Sequence, residues 1–301
     1  MAIKDLPKTE CILPGSAACP GCPATLGLRL VYKALGKNSI MIVPACCTAV
    51  IESLYPNTSF DIPTMNIAFE AAAAGASGVE AALRIQGKTD TTVVAWAGDG
   101  GTYDIGIQAL SGALERQTNF IYICYNNQIY SNTGIQRSGA TPKGAWTTTT
   151  VGGKNEFRKE MGEIIKAHHI PYAAQTCVSY PEDVYNKVKK AKEIKGPKYI
   201  EILAPCPPGW RFGMERTVEM GVLAVETGAW ALFECENDEM RFNGKSKLIL
   251  EKKIERKPIE EWIKYQGRFS HLFKPTKDTK TLKVIEEHTD QMWNRYRQCY
   301  L

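Results

Sequence analysis

Long hydrophobic runs are what this sequence most plainly lacks. The longest apolar stretch, residues 68–76, is interrupted by Glu70 and is far too short to span a bilayer. No apolar run follows a basic start, so no secretory signal is expected; with no membrane span either, the expected location is cytoplasmic. Excess charge of one sign is small, a net +5. The late basic run KSKLILEKKIERK has no interleaved aromatics, which speaks against a nucleic-acid partner. Internal repeats and low-complexity segments are missing. So are both common nucleotide fingerprints: GDGGTYDIG is not a G-x-G-x-x-G opening a helix, and no G-x-x-x-x-G-K-[ST] occurs.

What is there is a chain of 301 residues, 44% hydrophobic and 23% charged, enough for one large α/β domain with an appended segment. From residue 24 to residue 203, apolar strand-like runs alternate with helical patterns. SIMIVPA (39–45), residues 93–97, NFIYICYNN, YAAQT and KYIEILAPC read as buried strands, with helices over 69–85, 104–115, 157–168 and 181–194. That rhythm predicts a mostly parallel sheet with helices on both faces. After Cys206 it stops. PPGWRFG reads as a loop, 247–250 as a short strand and 281–296 as an amphipathic helix. The expected division is an α/β domain over 1–216 and an irregular C-terminal extension over 217–301. The extension is too poor in core residues to fold alone and is expected to pack on a partner subunit.

The first chemical motif is AGDGGTYDIGIQALSGALERQTNFIYICYNNQIYSNTG. A buried strand runs into the Gly98-Asp99-Gly100-Gly101 turn, which brings bare backbone to the strand's carboxyl end, where open α/β sheets bind ligands. Glycines admit phosphate oxygens to the main chain, and the helix expected near Asp104 offers free N–H groups to an anion. Asp99 supplies a hard carboxylate oxygen, and the next strand ends at Asn126-Asn127 with another oxygen donor. Asp99 and Asn127 lie 28 residues apart, one strand–helix–strand unit. That spacing resembles the thiamine-diphosphate motif shared by decarboxylases, transketolases and 2-oxoacid dehydrogenases.

The second motif is CPGC at Cys19 and Cys22, in a Gly/Pro/Ala-rich loop. Cys46 and Cys47 follow the strand SIMIVPA, and Cys206 follows the last clear strand. Loops at strand ends converge on one side of a sheet, so these thiols can form a four-thiolate cage for zinc or a [4Fe–4S] cluster. A thiamine site on the same chain favours iron–sulfur, because the carbanion that thiamine stabilises donates electrons. Cys124, inside a strand, is expected to be a small buried hydrophobe. Cys11, Cys177, Cys235 and Cys299 have no partner at metal-like spacing.

The two motifs together resemble one family, the β subunits of pyruvate and related 2-oxoacid:ferredoxin oxidoreductases. The similarity covers residues 13–210 and includes PGSAACPGC, PTMNIAFEAAAAGASGVEAAL, AGDGGTYDIGIQALSGALER and YICYNNQIYSNTGIQRSGATPKGA. The resemblance implies a thiamine-diphosphate-binding fold whose cofactor site is completed by an α subunit, with γ and ferredoxin-like δ subunits in the complex. It implies CoA-dependent oxidative decarboxylation of a 2-oxoacid, pyruvate first, with electrons passing through a [4Fe–4S] cluster to ferredoxin. Branched-chain, aryl and other 2-oxoacids, and a non-redox thiamine enzyme, are the alternatives. By position, Cys19, Cys22, Cys47 and Cys206 match the cluster ligands. Asp99, Asn127 and the Ile129 carbonyl match the Mg2+ ligands, Gly98 and Gly100 the diphosphate cradle, and Asn132 a catalytic Asn near the reacting end of the cofactor. The sequence departs from the family at Pro23, at Cys46, which competes with Cys47, and at Asn126 and Gln128, where many relatives carry acids.

Overall fold

The computed structural model describes residues 3–54 and 56–300. In chain order the elements are α1 (Pro23–Leu35), β1 (Ser39–Pro44), α2 (Cys47–Ile51), β2 (Thr64–Ile67), α3 (Ala72–Ile85), β3 (Thr92–Gly98), α4 (Ile107–Glu115), β4 (Ile121–Asn126), α5 (Met161–Lys166), β5 (Tyr172–Cys177), α6 (Pro181–Glu193), β6 (Lys198–Leu203), α7 (Pro207–Trp210), α8 (Thr217–Glu226), β7 (Phe233–Glu236), β8 (Glu239–Phe242), α9 (Gly244–Leu250), α10 (Glu260–Ile263) and α11 (Thr279–Tyr300). Among the described residues the strands form one sheet of eight, in the order β2-β1-β3-β4-β6-β5-β7-β8. The first six are mutually parallel, and β7 and β8 add antiparallel at one edge.

The apolar runs explain the layers. On β3, Val94 and Trp96 face one side while Val93, Ala95 and Ala97 face the other, the two-residue period of a strand. The first side is covered by α1 and α6 through Leu28, Val31, Val184 and Val188. The second is covered by the small residues of α3 (Ala72, Ala73, Ala76) and by Leu110 and Leu114 of α4. Cys124 is fully buried in that second layer, as expected. No helix among the described residues is long and apolar enough to cross a membrane.

Residues 217–300 differ from the irregular extension expected. They supply the last two strands and four helices, and their apolar side chains turn toward the domain itself. Trp230, Trp262, Phe269 and Leu272 share a cluster with Ile129, Leu203 and Cys206 at the carboxyl edge of the sheet. A further cluster is drawn wholly from this segment: Phe233, Phe242, Ile249, Leu250, Trp293 and Tyr296 pack together, more core than its composition led one to expect. Residues 247–250 are helical rather than extended, because Ile249 and Leu250 pack inward from α9 beside Ser246, whose hydroxyl accepts the Leu232 N–H at 2.8 Å. PPGW forms the single turn α7, with both prolines at its start, where a missing N–H leaves no bond unmade. The helix expected over 157–168 begins only at Met161: Phe157 stacks on His288 and Arg158 lies over the Trp230 ring, contacts that commit this stretch to the C-terminal helices.

Trp293 ties α11 to the sheet: it is almost fully buried, donates its indole N–H to Gly228 at 3.0 Å and packs on Phe242 and Tyr296. Trp293→Ala is expected to destabilise the whole chain by about 3–5 kcal/mol, the usual range for emptying a buried aromatic site. A lowered midpoint of the single unfolding transition, followed by near-UV circular dichroism in urea, is the expected result. A detachable tail would leave that transition in place.

Candidate active site

Because β1, β3, β4 and β6 run parallel, their carboxyl ends open on one edge. The chain leaves β1 toward β2 on one side and β3 on the other, so a crevice forms between β1 and β3. A cleft of about 600 Å³ occupies it, walled by Cys46, Cys47, Phe69, the Gly98–Gly101 turn, Tyr125, Asn127 and residues 129–133.

The turn continues directly into a π-helical turn, Gly100–Asp104, rather than the α-helix expected from Asp104; α4 begins at Ile107. Gly100 is required there, since a Cβ would sit 1.7 Å from the Tyr130 ring. Tyr130 is in turn fixed by donating to Asp104 at 2.7 Å. Asp104 also meets Lys159 at 2.9 Å and the Gly139 N–H at 2.8 Å; burial raises its pKa, but these partners together hold the carboxyl below the usual range.

Asp99 is buried without a cation. Its carboxylate accepts the Ser138 hydroxyl at 2.5 Å and the main-chain N–H of Asn127, and burial still pushes its pKa up to about 7. Asn127 lines the same cleft, and its Oδ1 accepts only a long bond, 3.3 Å, from the Ile129 N–H. Among the described residues no donor of the chain is bonded to the Ile129 carbonyl. A buried carboxylate, an amide oxygen and a free carbonyl beside bare glycine backbone are the donor set that magnesium on a diphosphate needs. The residues therefore fit the metal and cofactor expected from the sequence.

The loop carrying these donors is fastened from outside the motif. Gln128 sits in the left-handed region at φ 64°. Its carbonyl accepts the Thr141 hydroxyl at 2.6 Å, and Lys154, buried beneath, bonds the Thr141 carbonyl at 2.7 Å and the Ser138 carbonyl at 3.3 Å. Burial pulls the Lys154 pKa down to about 8. The Asn127 carbonyl accepts the Trp210 indole N–H at 2.7 Å. Asn126, one of the residues that departs from the family, does not face the metal donors. Its amide donates to the buried Glu201 carboxylate at 2.6 Å and to the Tyr103 hydroxyl at 3.1 Å, so an acid at this position would oppose Glu201.

A second cavity, about 990 Å³, lies beside the first and is lined by Cys19, Cys22, Cys47 and Cys206 together. Cys46 belongs to the cofactor cleft instead, where its thiol is bonded with Tyr125. The Ser131 hydroxyl stands between two of the four thiols, 3.5 Å from the Cys206 sulfur and bonded to Cys47. Burial pushes the Cys47 thiol up to about 12 and the Cys206 thiol up to about 11, with Ser131 opposing both shifts. Among the described residues, no three His, Cys, Asp or Glu side chains converge on a point that would hold a single metal ion. Four thiols lining one cavity are ligand chemistry for either a zinc ion or an iron–sulfur cluster. The CPGC turn is set by Gly21, at φ 71°, where a Cβ would strike the Met214 carbonyl at 2.5 Å; Thr217 at the start of α8 donates to the Gly21 carbonyl at 2.8 Å.

Asn132 lines both cavities. Arg137 pairs with Glu156 at 3.3 Å on the surface, away from the cleft walls. His168 bonds Ser111 and the Ile164 carbonyl, away from the cleft. Cys11, Cys177 and Cys235 are buried away from the thiol cavity, Cys299 is exposed, and all ten cysteines are free. Sequence reasoning missed Ser131, Ser138, Thr141, Lys154, Trp210 and Arg268. Ser131 and Ser138 lie inside the quoted motif strings and were within reach; no spacing signal links Trp210 or Arg268 to the metal loop.

Fold and site together define a thiamine-diphosphate-binding domain, and the family model for the C-terminal TPP-binding domain of thiamine pyrophosphate enzymes matches residues 45–202. Over nearly its whole length the chain is 48% identical to pyruvate synthase subunit PorB of Methanothermobacter marburgensis, covering 97% of this chain and 99% of that one. It is 45% identical to ketoisovalerate oxidoreductase subunit VorB of Pyrococcus furiosus, covering 97% and 94%. The chain belongs to the PorB/VorB subunit family of 2-oxoacid:ferredoxin oxidoreductases. A 2-oxoglutarate:ferredoxin oxidoreductase structure from Magnetococcus marinus shares the fold, with a TM-score of 0.59 at 20% identity over 72% of this chain and 82% of that one.

Gly100→Ala is expected to weaken thiamine-diphosphate binding by the assembled complex by roughly 5- to 150-fold, since overpacking a tight site costs ~1–3 kcal/mol. Gly152→Ala, where a Cβ meets nothing within 4 Å, should leave binding unchanged. Isothermal titration calorimetry measures both.

Proposed function

We propose that this chain is the β subunit of a cytoplasmic pyruvate:ferredoxin oxidoreductase, working with α, γ and ferredoxin-like δ subunits or domains. The overall reaction converts pyruvate and CoA–SH to acetyl-CoA, CO2 and a proton, with two electrons leaving to ferredoxin, and it is reversible. The observation that carries this reading is the shared wall between the two cavities. Cys47, Tyr125, Asn127, Ser131 and Asn132 line both the cofactor cleft and the four-thiol cavity. An electron donor in one and an acceptor in the other would be separated by a single layer of side chains.

Bound thiamine diphosphate supplies an electron sink for loss of CO2, and a [4Fe–4S] cluster supplies a one-electron acceptor. The chain's own groups do the placing. Asp99, Asn127 and the Ile129 carbonyl would hold Mg2+ on the diphosphate, with Gly98 and Gly100 giving its oxygens access to the main chain. Cys19, Cys22, Cys47 and Cys206 would hold the cluster. Phe69, Tyr125 and Tyr130 give the cleft apolar walls that exclude water, which favours acyl transfer to CoA over aldehyde release. Asn132, which lines both cavities, would act near the reacting end of the cofactor. The C-terminal segment, though folded onto its own domain, keeps an exposed face on α11 for a partner subunit.

Similarity to the VorB subunits supports a second substrate reading, branched-chain 2-oxoacids, by the same chemistry. Anaerobically purified complex is expected to reduce a viologen dye with pyruvate only when CoA is present, and more slowly with 2-oxoisovalerate. A reversed preference replaces the substrate and keeps the chemistry; no reduction with any 2-oxoacid contradicts the reading. Cys47→Ser is expected to lose the share of iron and acid-labile sulfide that this chain holds, whereas Cys46→Ser keeps both. The opposite pattern would reassign the ligand.

A further inference from the structure

The most unusual charge in the molecule belongs to Arg268, between α10 and α11. Its side chain is fully buried. Among the described residues it finds two amide oxygens and no carboxylate: Nε donates to Gln266 Oε1 at 2.9 Å and Nη2 to Gln128 Oε1 at 2.7 Å, while Nη1 has no partner. The guanidinium lies over the Trp210 ring, 4.0 Å from its centroid. That indole donates to the Asn127 carbonyl at 2.7 Å. Arg268 therefore reaches two consecutive residues of the loop, Gln128 by a direct bond and Asn127 through the stacked indole. Burying a guanidinium without a carboxylate is unfavourable, so its retention calls for a compensating charge.

We propose that Arg268 is a positioning residue for the metal loop: through Gln128 and Trp210 it holds the turn that aims the Asn127 amide and the Ile129 carbonyl at the cation, and its charge is balanced by the anionic cofactors once they are bound. The proposal rests on the reading of Asp99, Asn127 and Ile129 as magnesium ligands. Gln128 at φ 64° is the hinge of the argument, because this backbone conformation is disfavoured for a residue with a side chain and needs external support. Its N–H donates to Asn126 Oδ1 at 2.9 Å and its carbonyl accepts the Thr141 hydroxyl, while Arg268 is the support on its side chain. A carboxamide that bonds only a buried guanidinium has no packing reason to be polar, whereas a link between loop and cation requires it.

The test is magnesium dependence of thiamine-diphosphate retention in the anaerobic complex, after cofactor depletion and with magnesium chloride titrated at fixed thiamine diphosphate. Arg268→Gln and Gln128→Leu are expected to raise the magnesium concentration for half-retention by roughly 10–100-fold, the range seen when partners supporting a metal ligand are removed. Arg268→Lys should recover part of the loss, since it keeps the charge and loses the planar fork. Iron content should stay at the parent value in Gln128→Leu, which carries the test if Arg268→Gln does not fold; its unfolding midpoint is expected to fall, because Nη2 of the buried guanidinium loses its partner. Half-retention indistinguishable from the parent in Arg268→Lys and Gln128→Leu overturns the proposal. Asp99→Asn separates the two levels. If it abolishes magnesium-dependent retention while the other variants behave as the parent, the metal site stands and the role of Arg268 falls. If Asp99→Asn also has no effect, the metal site falls and takes the proposal with it.

Discussion

A buried carboxylate with no cation of its own organises this structure. Asp99 lies at the carboxyl end of a central parallel strand, bonded to the Ser138 hydroxyl and to main-chain N–H groups, and burial raises its pKa. Such a group is stable as an anion only if something positive arrives. The neighbouring donors, Asn127 and the Ile129 carbonyl, are likewise held short of full hydrogen bonding. The elements around them leave these oxygens with few or long bonds within the chain.

Distant segments meet that demand. The 138–141 stretch bonds both Asp99 and Gln128, and Lys154 fixes it from below. Helix α7 contributes Trp210, and the segment beyond residue 216 contributes Arg268 and the start of α8 that braces the CPGC turn. The last third of the chain is therefore the floor of the site as well as the edge of the sheet. Substitutions in α8 or near α10 should be read for effects on cofactors before effects on partner binding.

The parallel sheet and the main chemistry were legible because both rest on local patterns. Runs such as TVVAWAG and IYICYN are apolar throughout, as strands buried on both faces must be, and the Asp99-to-Asn127 interval is one strand–helix–strand unit. Cysteine spacing left Cys46 and Cys47 open as alternatives, and the structure separates them: Cys46 lines the cofactor cleft alone, whereas Cys47, at the start of α2, lines both cavities. The C-terminal segment was misread because its order comes from long-range burial of scattered aromatics, Trp230, Trp262 and Trp293, rather than from periodic runs. Arg268 was invisible for the same reason: its partner Gln128 is 140 positions away.

The central claim is that a cofactor cleft and an iron–sulfur cavity share one wall on this chain. Anomalous diffraction at the iron and zinc absorption edges, from crystals of the anaerobically purified complex, tests it most directly. The account predicts an iron peak, and no zinc peak, among Cys19, Cys22, Cys47 and Cys206. Zinc at that position, or no metal in a preparation shown to retain thiamine diphosphate, would contradict it.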